Sequence, residues 1–345
     1  MRRRVNPAAA IGLLLAALAF SVVLGTAFGT VSIPFGETLR ALLSRLPGAG
    51  WLGAGVRETT TTIILAVRLP RVVLAVLVGL ALGVSGTAFQ GLFRNPMADP
   101  YLIGVSSGAA AGAALGIALH LDARALTVWV VPLMAFTGAT GTVFLVYRLA
   151  RRGNRVPVAD LLLAGIAVGA VLSALVSAVT VFSQRDLRQI VFWLMGGFSG
   201  RGWDYVLAVT PYIVAGTAVL GFYARDLNAL QLGEEAAGHL GIEVESLKRS
   251  LILAATLATG AAVAASGVIG FVGLVVPHAL RLVLGPDHRI LLPTSGLAGA
   301  TLLVLADLGA RTVVPPAEVP VGIITALLGG PFFIYLLRRS RRGGV

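Results

Sequence analysis

Cysteine is absent from the 345-residue sequence, which excludes disulfides and thiolate metal sites. Charge is scarce. Asp, Glu, Lys and Arg make up 12% of the chain, about half the ~25% of an average soluble protein. The four histidines, His120, His239, His278 and His288, share no short spacing, so no metal site is expected. No glycine-rich phosphate loop with its lysine is present. If this chain transports actively, the energy must come from a partner. Carboxylates are missing from the middle of the apolar runs. Asp160 and Glu318 stand where runs begin and are expected to cap helices. Asp307 stands late in a run, four residues before Arg311, a spacing that pairs charges on a helix. Ion-coupled carriers use ionisable groups deep in the membrane. Their scarcity weighs against the alternative reading, an ion-coupled secondary transporter without an ATPase. A membrane-embedded enzyme lacks any convergent acid, base or metal set.

What is present is hydrocarbon: 57% of residues are hydrophobic and the mean hydropathy is +0.90. An all-α integral membrane fold follows, with about ten spans: 8–29, 70–92, 101–119, 125–149, 158–182, 204–223, 248–266, 268–281, 290–310 and 319–337. Ten spans of about 20 residues leave only short loops and no room for a soluble domain. The opening "MRRRVNPAAAIGLLLAALAFSVVLGTAFG" has the basic start of a signal peptide. Its long run has no small-x-small site before Gly25, so it reads as an uncleaved first span. The net charge is +12, but the arginines gather at span ends. That pattern signals topology and headgroup contact, with no nucleic acid. With the N-terminus inside, inner stretches hold 17 of the 27 basic residues. Both termini are then expected to be cytoplasmic.

Two halves resemble each other. "SGTAFQGLFRNP" (85–96) and "SGVIGFVGLVVP" (266–277) each place proline eleven residues after serine. Asp99 with Ser107-Gly108 and Asp287 with Ser295-Gly296 repeat a second spacing, and "ADLLLAGI" echoes "AEVPVGI". Spans 2–5 and 7–10 are expected to form an inverted repeat, a common transporter plan. The segments are 8–69 (first span and external segment), 70–182 (first repeat), 204–223 (linking span), 224–247 (cytoplasmic segment) and 248–337 (second repeat). Gly108, Gly112 and Gly116, and likewise Gly165 and Gly169, lie four apart and form narrow packing faces.

Two polar interruptions stand out. "GLFRNPMADPYLIGVSSGAA" (91–110) breaks the oil between spans 2 and 3. There Pro96 and Pro100 cannot continue a helix, Asp99 is placed to cap the next span, and Arg94 stays at the headgroups. "RDLNALQLGEEAAGHLGIEVESLKRS" is polar and helix-favouring. It predicts a short helix, a glycine turn and a second short helix, projecting as a knob.

These stretches, with "GVIGFVGLVVPHALRLVLGPDHRILLP" and "AEVPVGIITALLGGPFFIYLL", resemble the permease subunit of type II ABC importers, the vitamin B12, ferric-siderophore and haem uptake family. The resemblance runs from span 2 to the end. It implies a homodimer in a bacterial cytoplasmic (inner) membrane, two copies of an ABC ATPase subunit that hold ATP and Mg, an external substrate-binding protein, and no cofactor in this chain. It implies ATPase coupling through Leu232, Gly233, Glu234, Glu235, Ala236, Ala237, Gly238, His239, Leu240 and Gly241. It implies docking of the binding protein at Arg68, Arg71 and Arg311 on the outer rim. The path along the dimer axis would be walled by Ser173, Ser177, Thr180, Phe182, Ser183 and Arg188. "QRDLRQIVFWLMGGFSG" would form a short external helix near the mouth, where Arg185, Arg188 and Arg201 attract carboxylates. A bulky metal chelate is the expected cargo: ferric siderophore or haem ahead of cobalamin.

Overall fold

The computed structural model describes residues 6–29, 33–45, 51, 55–121 and 129–342, with side chains to 335. Arg2–Arg4, residues 30–32, 46–50 and 52–54 of the expected external segment, 125–128 of the fourth span and the side chains of the "RRSRR" tail lie outside that range. The helices are α1 (Pro7–Ala27), α2 (Phe35–Leu43), α3 (Glu58–Thr62), α4 (Leu69–Leu92), α5 (Val105–Ala118), α6 (Val130–Ala150), α7 (Val158–Phe182) and α8 (Leu187–Met195). They continue with α9 (Trp203–Phe222), α10 (Ala224–Leu230), α11 (Glu234–His239), α12 (Val244–Ser266), α13 (Val272–Leu284), α14 (His288–Thr312) and α15 (Val321–Arg342). No strand occurs among the described residues.

Seven helical stretches are long and apolar enough to cross a membrane, and three shorter apolar helices, Val105–Ala118, Val272–Leu284 and Val321–Tyr335, complete the set expected from sequence. Most boundaries shift by up to about five residues, and one shifts by more. The second span was expected from residue 70, yet a 35-residue helix runs from Glu58 to Leu92. Pro70 lacks the N–H that an α-helix needs there. Just upstream the chain loosens into a π-helical stretch, Ile63–Arg68, in which Leu69 N donates to Ile64 O. The wider turn carries the helix into the proline.

Close approach of small residues holds the bundle together. α4 lies backbone to backbone on α14. A Cβ on Gly79 or Gly83 would collide with the main chain at Gly299 or Ser295. Gly108 and Gly112 of α5 press in the same way on Gly138 and Met134 of α6, and Gly165 of α7 meets the Leu102 carbonyl. Neighbouring lipid is as apolar as leucine, so such packing supplies much of the helix association. The arrangement has the form of a repeat. α4 packs on α14 as α12 packs on α6, α5 on α6 as α13 on α14, and α4 on α13 as α12 on α5. A Gly83→Val variant is expected to lose about 1–3 kcal/mol through overpacking, read as a lowered Tm in detergent.

Asp99 accepts from Tyr101 N at 2.8 Å and caps a 3-10 turn, Pro100–Ile103. Gly104 then takes φ +89°, a left-handed conformation open to glycine without strain, and α5 begins. Burial pushes the Asp99 carboxyl up to about 6, against the pull of the Tyr101 hydrogen bond. Asp160 does not cap α7. It pairs with Arg152 at 2.5 Å, because Pro157 occupies the cap position.

Candidate functional site: a tethered knob, an arginine cluster and a bare apolar flank

At one end of the bundle α10 and α11 form the expected knob. Gly233 (φ +117°) and Gly241 (φ +86°) make its turns, which is why glycine stands at both. Leu227, Leu230 and Ala237 are buried beneath it. Its outer surface is Gly238, His239, Leu240 and Gly241, all exposed, with Leu232 69% and Leu240 64% exposed. Two leucines thus stand bare on a polar projection. Glu235 is exposed beside them, while Ala236 and Gly233 are half-buried.

The knob is fastened to three spans, α4, α12 and α14. Lys248, 3% exposed, donates to Glu234 at 2.7 Å, Glu245 at 3.1 Å and the Val156 carbonyl at 3.3 Å. Glu245 also accepts from Val156 N at 2.9 Å. Lys248 is the chain's single lysine, and its compact ammonium offers three donors for three acceptors. Gln231 donates to the Gly91 carbonyl at 2.8 Å. Asn228 donates to Asp287 at 2.7 Å and accepts from His288 N at 2.8 Å. Burial pushes the Asp287 carboxyl up, but the Asn228 hydrogen bond and the Arg289 amide outweigh it, and the group titrates below the usual carboxylate range. Lys248→Met is expected to lower stability by about 2 kcal/mol, with faster protease cleavage between 234 and 241 as the local readout.

At the opposite end the three arginines expected at the rim are largely buried, with the Arg71 side chain 11% exposed. Arg68 is 5% and Arg311 3% exposed. Arg68 donates to the carbonyls of Thr26 at 3.1 Å and Ala27 at 2.5 Å. Arg311 donates to Gly25 O at 2.9 Å and Phe28 O at 3.2 Å. The last carbonyls of a helix lack intrahelical partners and carry partial negative charge. These two arginines satisfy them for α1. Arg311 also pairs with Asp307 at 3.1 Å, as the four-residue spacing predicted. Arg71 bridges Asp307 at 2.8 Å and Glu318 at 3.0 Å. Glu318 is therefore no helix cap; it accepts from Arg71 and from the Ser199 hydroxyl. Burial pushes its carboxyl up, but the Ser199 hydrogen bond and the Arg71 charge win, and it is held below its ordinary value.

Arg71, Glu318 and Ser199 line a cavity of about 580 Å³ with Trp193, Tyr205 and Arg201. Arg201 stacks over Tyr205 with its Cζ 4.3 Å from the ring centre. The expected short helix after span 5 is α8. It carries Arg188, exposed and 5.5 Å from the Phe192 ring centre.

α7 leaves most of its surface bare, with Leu163, Ile166, Val171 and Val181 all more than 60% exposed. Ser173 and Ser177 are exposed on it, with Thr180 and Ser183 half-buried. Phe182 is 86% exposed. Ser177 donates to Ser173 O at 3.0 Å and Thr180 to Val176 O at 2.7 Å. α15 is bare at Leu327 and Leu328, and α8 touches both α7 and α15.

Residues 15–339 match the model of the FecCD transport family. The chain belongs to that family. It is 50% identical over 284 residues, 82% of this chain and 75% of the relative, to a protein of Halobacterium salinarum named cobalamin import system permease protein BtuC. It is 44% identical over 344 residues, 99% of this chain and 98% of the relative, to the hemin transport system permease protein HmuU of Yersinia pestis. Among solved structures, one described as an inward-facing conformation of a metal-chelate type ABC transporter superposes with a TM-score of 0.83 at 32% identity, covering 97% of this chain and 100% of that one. This FecCD-family chain is thus a multi-pass permease of the ABC-importer type. The sequence had not shown Lys248, Asn228 or Gln231 as knob anchors. For Lys248 a signal existed: it is the one lysine among 26 arginines (27 basic residues less one).

Proposed function

We propose that this FecCD-family chain is the membrane subunit of an importer that moves a bulky metal chelate from an external binding protein into the cytoplasm, driven by separate ATPase subunits docked on the α10–α11 knob. The observation that carries the reading is the knob itself: two exposed leucines on a short helical projection, anchored by part-buried polar contacts to three spans. A loop of no mechanical consequence would not need Lys248, Asn228 and Gln231 as fasteners. The knob end is cytoplasmic in this reading, in line with the arginine bias. Two copies meet through the bare apolar flank of α7 and α15, with Ser173, Ser177, Thr180, Phe182 and Ser183 toward the path and Arg188 near its mouth. The cargo is an anionic iron chelate, a ferric siderophore or haem. Arg185, Arg188 and Arg201 have no carboxylate partner among the described residues, and guanidinium groups suit carboxylates. Cobalamin, carried by the Halobacterium relative according to its name, is the second cargo to test.

The test has two steps. The cognate external protein is titrated with haem, ferric siderophores and cobalamin. Uptake is then measured in vesicles holding the whole complex, with and without ATP. Haem or a ferric siderophore is expected to bind tightly and to enter only with ATP. Uptake of cobalamin alone overturns the iron assignment. Uptake driven by an ion gradient without the ATPase overturns the importer reading.

A further inference from the structure

Two ends of the molecule are joined by one rigid pair of helices. α4 has 24 residues and spans ~36 Å at 1.5 Å per residue. Along its length it is pressed onto α14 with no side chains between the main chains at Gly79–Gly299 and Gly83–Ser295. Helices in such contact cannot slide without backbone collision, so they move as one body. At the knob end both members are held by α10 and the residue that follows it: Gln231 on the Gly91 carbonyl of α4, and Asn228 on Asp287 and His288 at the start of α14. At the far end both members converge on one group. Arg71 of α4 holds Asp307 of α14 and then reaches Glu318 in the segment that leads into α15. Ser199, in the loop after α8, donates to the same carboxylate. Glu318 therefore ties the α4–α14 pair to two further segments beside the 580 Å³ cavity: the α8–α9 loop and the lead into α15.

A second connection runs through α12, from Lys248 to the Ser266 carbonyl, which accepts from Gly197 N at 2.7 Å. That route ends in a main-chain bond. The α4–α14 route ends in charged side chains, partly open to water, that can separate and re-form.

We propose that the α4–α14 pair is a push-rod carrying displacement of the knob to an Arg71–Asp307–Glu318–Ser199 latch, which holds the mouth of the cavity closed, and that Asn228 and Glu318 are the positioning residues at its two ends. The inference rests on the reading that an ATPase works the knob. It requires no contact between either residue and cargo or nucleotide.

The chain has no cysteine, so Gln189→Cys on exposed α8, at the cavity wall, gives a single reporter thiol. Its rate of reaction with a membrane-impermeant maleimide is measured in the full complex, nucleotide-free and ATP-trapped. The parent is expected to show rates differing by about fivefold or more, the lower end of ordinary coupling between sites. Asn228→Ala is expected to make the two rates equal at the nucleotide-free value. Glu318→Gln is expected to make them equal at the faster value, and Glu318→Asp to restore the difference. Ser199→Ala, which keeps the Arg71 pair, is expected to fall between parent and Glu318→Gln. It carries the far-end test if Glu318→Gln does not accumulate. A parental difference persisting in Asn228→Ala or in the latch variants overturns the push-rod. So does a parent with ATP-driven uptake and no difference at position 189. A parent without ATP-driven uptake instead overturns the reading of the function.

Discussion

Gly238→Trp is expected to abolish ATP-driven uptake while the permease still folds and inserts. Gly238 sits within α11 on the exposed face of the knob, and a side chain built on it meets nothing within 4 Å. The indole therefore has room in the isolated permease. It has none in a docked complex, where the knob must fit a pocket at interior packing density. Uptake is expected to fall to the level of vesicles lacking ATP, and ATP hydrolysis to lose its response to loaded binding protein. Gly241→Trp also places bulk on the knob, but at φ +86°. Its effect mixes lost docking with backbone strain of order 1–3 kcal/mol. The comparison is therefore informative: a normal Tm with Gly238→Trp and a lowered one with Gly241→Trp. Parental uptake and hydrolysis in Gly238→Trp would remove the knob from the coupling path.

Asp307→Ala is expected to lose about 3–5 kcal/mol, the usual penalty for deleting one partner of a buried ion pair. Asp307 is 1% exposed and answers two arginines. Arg71 would keep Glu318, and Arg311 would keep the α1 carbonyls, but their charges would face each other without the carboxylate between them. Against a typical net stability of about 5–15 kcal/mol, the protein is expected to accumulate poorly and to elute as aggregate from size exclusion. Asp307→Asn keeps the acceptor geometry and removes only the charge, so a smaller loss is expected. Equal Tm values for Asp307→Ala and the parent would show that the network is not structural.

The spans and the knob were legible because each is written in a contiguous stretch. Apolar runs announce themselves by length, and the 224–247 segment by polarity and glycine. The arginine cluster was not legible. Arg71 lies 236 residues from Asp307 and 247 from Glu318, and no local period records such a pairing. Arg68, Arg71 and Arg311 were placed at the outer rim by the family resemblance, which says nothing of their partners within the chain. Distance along a span fixes depth in the membrane; it does not fix whether a side chain faces water or the next helix. The same limit applied to Asp160, whose partner Arg152 lies just before the helix. Only Arg311–Asp307 was recoverable, because both sit on one helix at a paired spacing.

The carbonyls that end α1 have a consequence for the order of assembly. Asn6 finishes the start of that helix locally, accepting from Ala8 N at 3.0 Å. Its other end is finished by Arg68 and by Arg311, the second supplied 283 residues after the carbonyl of Phe28 that it meets. Chain synthesis runs N-terminal first. The first span is therefore made long before its last partner exists, and α1 cannot complete its seat until α14 has arrived. The seat of α1 is thus closed by a residue from the far half of the chain, so a completed α1 end reports that α14 has entered the bundle.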